Sequence, residues 1–196
     1  MGEDFRIWDD LVKGKEYALP KIYNMHVDFL YNYGKKFTKD ETLVLDAIHD
    51  IFYDVMRNHS NLGATDNVRL YLLKSLRRKL FRLLDKNRRY DSLGNEMEHF
   101  IPEITFSIEE QIIKNEESAQ KMNWVKEAMK QLNPLQREIL YYKFTCGFDY
   151  NQICEIMSVS YDSARQTVSR SIQLLRKNIP SDIFVFFTPF FNELNK

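Results

Sequence analysis

Glycine and proline are scarce in this chain, six and five among 196 residues, and cysteine is scarcer still at two. With so few chain breakers, long stretches keep helical periodicity, and no run alternates as a half-buried strand would. The fold class read from this is all-α. Cys146 and Cys154 fall within what reads as one helical hairpin, and neither has metal-ligand spacing to a histidine. They read as buried, inert thiols of a reducing cytosol, which excludes a disulfide framework. No apolar run approaches the length of a membrane span, so no membrane insertion is expected. The opening Met1-Gly2-Glu3-Asp4 lacks a basic segment followed by an apolar core, so no signal peptide is expected and the location read is cytoplasmic. The Asn58-His59-Ser60 sequon would go unused there. Net charge is also absent: 28 basic residues balance 28 acidic ones. A chain that coats nucleic acid indiscriminately is thereby disfavoured. Glycine-rich phosphate loops, nucleophile elbows and zinc spacings are all missing. His26, His49, His59 and His99 are scattered, and Asp46 and Asp50 have no third ligand near them in sequence. No catalytic residue, metal or cofactor is expected, and the chain reads as a non-enzyme.

What is present is enough apolar material for a core, 44% of residues, with 29% charged. Residues 5–37 read as helices: Trp8, Leu11 and Val12 form a short stripe, and Leu19, Ile22, Tyr23, His26, Phe29, Leu30 and Tyr33 continue it, with Gly34 as the stop. Residues 41–57 form an amphipathic helix with Val44, Ile48, Ile51, Phe52 and Val55 inward. Residues 58–66 are turn-formers and read as a loop. Residues 67–89 form a long helix with Leu72, Leu73, Leu76, Leu80, Leu83 and Leu84 inward. From about 91 to 118 the chain turns acidic, with Glu96, Glu98, Glu103, Glu109, Glu110, Glu116 and Glu117, and reads as a linker. Helical pattern resumes near Ala119 and runs to about Ile179, broken at Asn133-Pro134, Cys146-Gly147 and Ser158-Val159-Ser160. The last residues, 181–196, are rich in phenylalanine. They either fold back on the last helix or serve as a docking segment for a regulator.

The sharpest local pattern lies at residues 148–177. A short helix over about 150–157 places Ile153, Ile156 and Met157 inward, Val159 plugs the turn, and Ser160 caps the next helix. From Tyr161 the second helix buries Ala164, Val168, Ile172 and Leu175. Asp162, Ser163, Gln166, Ser169, Arg170 and Gln173 are left on the opposite face, with Arg165 and Arg176 at its edge. Short hydrogen-bonding side chains and guanidinium groups suit base edges and phosphates in a major groove. A solvated polar helix face remains the plain alternative.

Charge is segregated elsewhere too. The 67–89 helix carries Arg69, Lys74, Arg77, Arg78, Lys79, Arg82, Lys86, Arg88 and Arg89 against the single acid Asp85. Such a face favours phosphate through counterion release, and Tyr71 and Phe81 offer stacking surfaces for unpaired bases unless they fill the core. In the 41–57 helix Asp46, Asp50 and Asp54 recur every four residues beside His49 and Tyr53. Like charges at that spacing cost the helix a few tenths of a kcal/mol, a cost that a basic partner would remove.

This order of elements resembles the extracytoplasmic-function group of the sigma-70 family. Leu45-Asp46-Ala47-Ile48-His49-Asp50-Ile51-Phe52 is similar to the family's Asp-Leu-Val-Gln-Glu-Val-Phe pattern, with His49 for Gln and Asp50 for Glu. Asn67 to Leu80 resembles the helix that follows. Leu132-Asn133-Pro134-Leu135-Gln136-Arg137-Glu138-Ile139-Leu140 resembles the opening of the fourth sigma domain, with Asn133 where proline is usual and Arg137 in place. Tyr150 to Arg170 is similar to the family's helix-turn-helix, with Arg165 where an arginine is usual.

The resemblance implies two small helical domains and a linker. Residues 1–90 would be the region 2 domain, 91–118 an acidic linker threading the polymerase, and 119–180 the region 4 helix-turn-helix domain. Asp46, His49, Asp50 and Tyr53 would contact the clamp helices of RNA polymerase core, whose flap is a further expected partner. Asn67, Arg69, Lys74, Arg78 and Lys79 would follow the melted −10 strand, and the 58–66 loop would hold a flipped base. Tyr161, Ser163, Arg165, Gln166, Ser169 and Arg170 would read the −35 element of promoter DNA. An anti-sigma factor is a further expected partner. The alternatives are a conventional helix-turn-helix regulator that binds duplex DNA as a dimer, and a helical protein with no DNA role.

Overall fold

The computed structural model describes residues 3–65, 67–91 and 124–181. Among these residues every regular element is helical, and the chain divides into two compact units, Met1–Pro102 and Glu103–Lys196.

The first unit contains α1 (Glu3–Val12), α2 (Ala18–Gly34), α3 (Glu41–Arg57), a 3-10 turn at His59–Asn61 and α4 (Val68–Asp91). Its start and stop signals are local. Asp40 caps α3, its carboxylate accepting from the Leu43 amide at 3.0 Å. Asn67 does the same for α4, accepting from the Leu70 amide at 2.9 Å. Residues three and four apart then bring Val44, Ile48, Ile51, Phe52 and Val55 of α3 against Leu72, Leu73, Leu76 and Leu80 of α4, all of them buried. Each such side chain contributes roughly 1.5–3 kcal/mol on leaving water. Trp8 of α1 is 1% exposed and completes this core.

Several details differ from the sequence reading. Gly34 does end α2, but the following residue, Lys35, keeps right-handed helical dihedrals, so no left-handed cap is formed. The glycine is needed for room instead, since a Cβ there would lie 2.5 Å from Cγ1 of Val44. The 58–66 loop contains a helical turn and is tied to α1: the Trp8 indole N–H donates to the Gly63 carbonyl at 3.1 Å. Helix α4 continues through Asp91, beyond the expected end at 89 and into the expected linker. The remainder of that linker and residues 182–196 of the phenylalanine-rich tail lie outside the described residues, as do residues 119–123, where helix was expected to resume.

In the second unit residues 124–130 are helical (α5). Then follow α6 (Pro134–Leu140), a π-helical turn (Tyr141–Thr145), α7 (Tyr150–Met157) and α8 (Tyr161–Asn178). The breaks fall where the sequence places them, and each has a chemical cause. Asn133 and Gln136 form a capping box, with Pro134 at the first helical position where its missing N–H costs nothing. Asn133 thus supplies a side-chain acceptor that a proline would lack. Asp149 and Gln152 form a second capping box at α7. Gly147 takes φ +71° between the π turn and α7. Ser158 ends α7 in the left-handed region at φ 56°, ψ 44°, a conformation that costs a non-glycine residue about 1 kcal/mol. Ser160 caps α8, its hydroxyl accepting from the Ser163 amide at 3.2 Å. Cys146 is buried but Cys154 is only half-buried, which corrects the expectation for the second thiol.

Candidate nucleic-acid and protein interfaces

On α8 the buried stripe is Ala164, Val168, Ser171, Ile172 and Leu175. Opposite it, Asp162, Ser163, Gln166, Ser169, Arg170 and Gln173 are exposed; Arg165 and Arg176 are exposed at its edge, and Tyr161, in line with the stripe at the start of the helix, is exposed as well. All the expected −35 residues are therefore exposed, though Tyr161 and Arg165 border the buried stripe. Gln166 accepts from the Arg170 guanidinium at 3.4 Å, a weak contact that orients both along the helix.

The sequence reading missed what flanks this face. The Tyr161 ring packs edge-on against Tyr150, the first residue of α7, at 5.5 Å between centroids. The Lys143 ammonium of the π turn lies 5.2 Å from the Tyr150 ring centre. Burial pushes the Tyr150 hydroxyl above its usual pKa, Tyr161 adds to this, and the nearby Arg165 cation opposes it. The helix-turn-helix pattern gave no sign of this cluster, because Lys143 belongs to the preceding turn. In the same unit the buried Glu138 carboxylate accepts from the Tyr142 hydroxyl at 2.7 Å.

In the first unit, Asp46, His49, Asp50 and Tyr53 all lie on the exposed side of α3, and Asp54 lies with them. The His49 ring stacks on Tyr23 of α2 at 6.4 Å with an interplanar angle of 21°. Beside them Leu19, Pro20, Tyr23, Phe52, Tyr53 and Met56 line a shallow apolar notch. Tyr53 is 57% and Met56 46% exposed. Met56 sits off the buried stripe of α3, which is the sequence signal that went unused.

The expected −10 residues of α4 are distributed unevenly. Arg78 is exposed, as is Arg82 one turn further, and Lys74 is half-buried. Lys79 forms an ion pair with Asp50 at 2.5 Å, so one member of each proposed surface engages the other. Asn67 is occupied as the cap of α4. Arg69 packs its guanidinium 3.7 Å from the Phe29 ring centre, and its Nε is buried without a hydrogen-bond partner. The aromatics of α4 are also engaged internally. Tyr71 packs edge-on against Trp8 at 5.0 Å. Phe81 packs against Phe37 at 5.4 Å, with the Arg77 guanidinium 4.2 Å from its ring centre. Neither ring is presented as a free stacking platform, because both fill gaps between α4 and its neighbours.

One buried titratable group lies near Arg69. His26 is 5% exposed, and its Nε2 stands 3.5 Å from the Asp4 carboxylate. Burial pushes the imidazole below its usual pKa; Asp4 opposes this and the Arg69 cation adds to it. Among the described residues no group of three or more His, Cys, Asp or Glu is placed to hold a metal ion, and no helix is long and apolar enough to cross a membrane.

No curated protein matches the chain. Residues 122–175 match the family model of Sigma-70, region 4, and they take in the capped α6, the π turn, α7 and most of α8. The capped helices, the left-handed turn at Ser158 and the exposed polar face of α8 thus coincide with that match, and the C-terminal unit carries a sigma-70 region 4 helix-turn-helix.

Proposed function

We propose that this chain is a cytoplasmic sigma factor of the extracytoplasmic-function group, which binds RNA polymerase core and directs it to promoters. The observation that carries the reading is the face of α8. Ser163, Arg165, Gln166, Ser169 and Arg170 are all exposed behind a capped N-terminus, within a segment matching region 4. Side chains of this kind read base edges and clamp phosphates in a major groove.

The N-terminal unit takes the part of region 2. The exposed carboxylates Asp46 and Asp50, with His49, Tyr53 and the adjoining apolar notch, form the surface for the polymerase clamp helices. Lys74, Arg78 and Lys79, with Arg82, run along α4 toward the backbone of the melted strand. Asn67 and Arg69 serve that surface indirectly, by fixing the start of α4 and its seat on Phe29. Opening the −10 element takes a base out of the stack at a cost of a few kcal/mol. Phosphate contacts along α4 and capture of the base by the 58–66 loop offset it. An anti-sigma factor would compete for the acidic and apolar surface of α3. The linker has its role in the polymerase channel, and the polymerase carries out the chemistry.

The test is capture of RNA polymerase core by the purified full chain, followed by transcription from promoters selected out of a random pool. Core binding with promoter-dependent initiation is the expected result. Tight binding of duplex DNA as a dimer, with no affinity for core, would overturn the proposal.

A further inference from the structure

The Asp50–Lys79 ion pair joins the two surfaces assigned above. Asp50 projects from the acidic side of α3 and Lys79 from the basic side of α4. Their charged groups meet at 2.5 Å, with the Asp50 side chain 54% and the Lys79 side chain 25% exposed. In the free protein, then, a carboxylate meant for a basic partner holds an ammonium meant for phosphate. Asp46, one turn away on α3, and Arg78, the neighbour of Lys79 on α4, are both exposed.

We infer that this pair is a charge switch coupling the protein-docking surface of α3 to the single-strand surface of α4: a cationic partner that takes Asp50 releases Lys79 to a DNA phosphate. The inference rests on the reading of these two surfaces. Its physical content is competition for one ammonium. Lys79 cannot hold the Asp50 carboxylate and a phosphate oxygen with the same strength at once. A phosphate contact by Lys79 therefore includes the loss of the internal pair unless another cation has already replaced Lys79 at Asp50. Linkage makes the effect reciprocal: whatever factor the partner adds to strand affinity, the strand adds to partner affinity. Because the pair is partly exposed, the factor is modest, about two- to fivefold.

The experiment titrates the full-length chain with a fluorescent single-stranded DNA oligonucleotide of about a dozen nucleotides over a series of salt concentrations. The proteins compared are the wild type, Asp50→Asn, Lys79→Gln, the double variant and Asp46→Asn. Asp50→Asn should tighten strand binding about two- to fivefold and steepen the log–log salt dependence by about 0.7, the increment for one added single-strand phosphate contact. In the Lys79→Gln background the same substitution should add nothing. Asp46→Asn removes an equal charge from the same helix and should change affinity far less than Asp50→Asn. The inference is overturned if Asp50→Asn tightens binding equally with and without Lys79, if Asp46→Asn matches it, or if Asp50→Asn gives no gain. Loss of polymerase capture by the wild type would count instead against the identity of the docking partner, so the two failures are distinguishable.

Discussion

Gly34 of α2 and Val44 of α3 approach so closely that a methyl group on the glycine would lie 2.5 Å from Cγ1 and 3.2 Å from Cγ2 of the valine. Both residues are buried, so neither helix has slack at this crossing. Gly34→Ala should therefore destabilise the first unit by about 1–3 kcal/mol, the usual cost of overpacking, even though alanine favours helix. Denaturant unfolding checks it. Val44→Ala in the Gly34→Ala background should recover part of the loss, a non-additivity expected only if the clash is the cause.

Reversing the charge at Asp50 should abolish capture of polymerase core while leaving the fold in place. The pair with Lys79 is partly exposed, and such pairs contribute about 1 kcal/mol or less. Asp50→Lys should keep the helical circular dichroism of the wild type. Unchanged affinity for core would remove Asp50 from the docking surface.

Arg165 is exposed on α8 with no part in the buried stripe. Arg165→Ala should weaken promoter duplex binding by the holoenzyme by about 1–3 kcal/mol if it holds a base edge, with relaxed preference at one −35 position. If it holds a phosphate, affinity should fall uniformly across sequences and the salt slope should drop by about one. Binding that matches the wild type at every salt concentration would exclude both roles.

His26 makes the first unit sensitive to acid. Its folded pKa lies below the usual value of 6.5, chiefly through burial. The unfolded chain therefore takes up the proton first, and stability is lost as pH falls from 6.5 toward the folded pKa. His26→Gln should flatten the dependence of the unfolding midpoint on pH in that interval. Asp4→Asn should steepen it, because the Asp4 carboxylate is the group that favours the protonated ring. A pH profile identical for all three proteins would show that His26 does not titrate on unfolding.

The elements of this protein were legible in the sequence wherever their causes lie within one or two turns of chain. Helices α7 and α8, the cap at Ser160 and the exposed face of α8 follow from side chains a few residues apart, since helical periodicity and capping act over that distance. The fates of the basic and aromatic residues in α4 were not legible. Arg69 is held by Phe29, Lys79 by Asp50, and Tyr71 by Trp8, and each partner comes from another helix. Charge and aromaticity are properties of a residue, but availability to a ligand depends on what the packed neighbours already claim. The sequence determined the helices, their faces and the helix-turn-helix. Tertiary packing alone decided which charges on α3 and α4 meet each other and which face solvent, because the ends of an ion pair on separate helices are brought together only when the core closes.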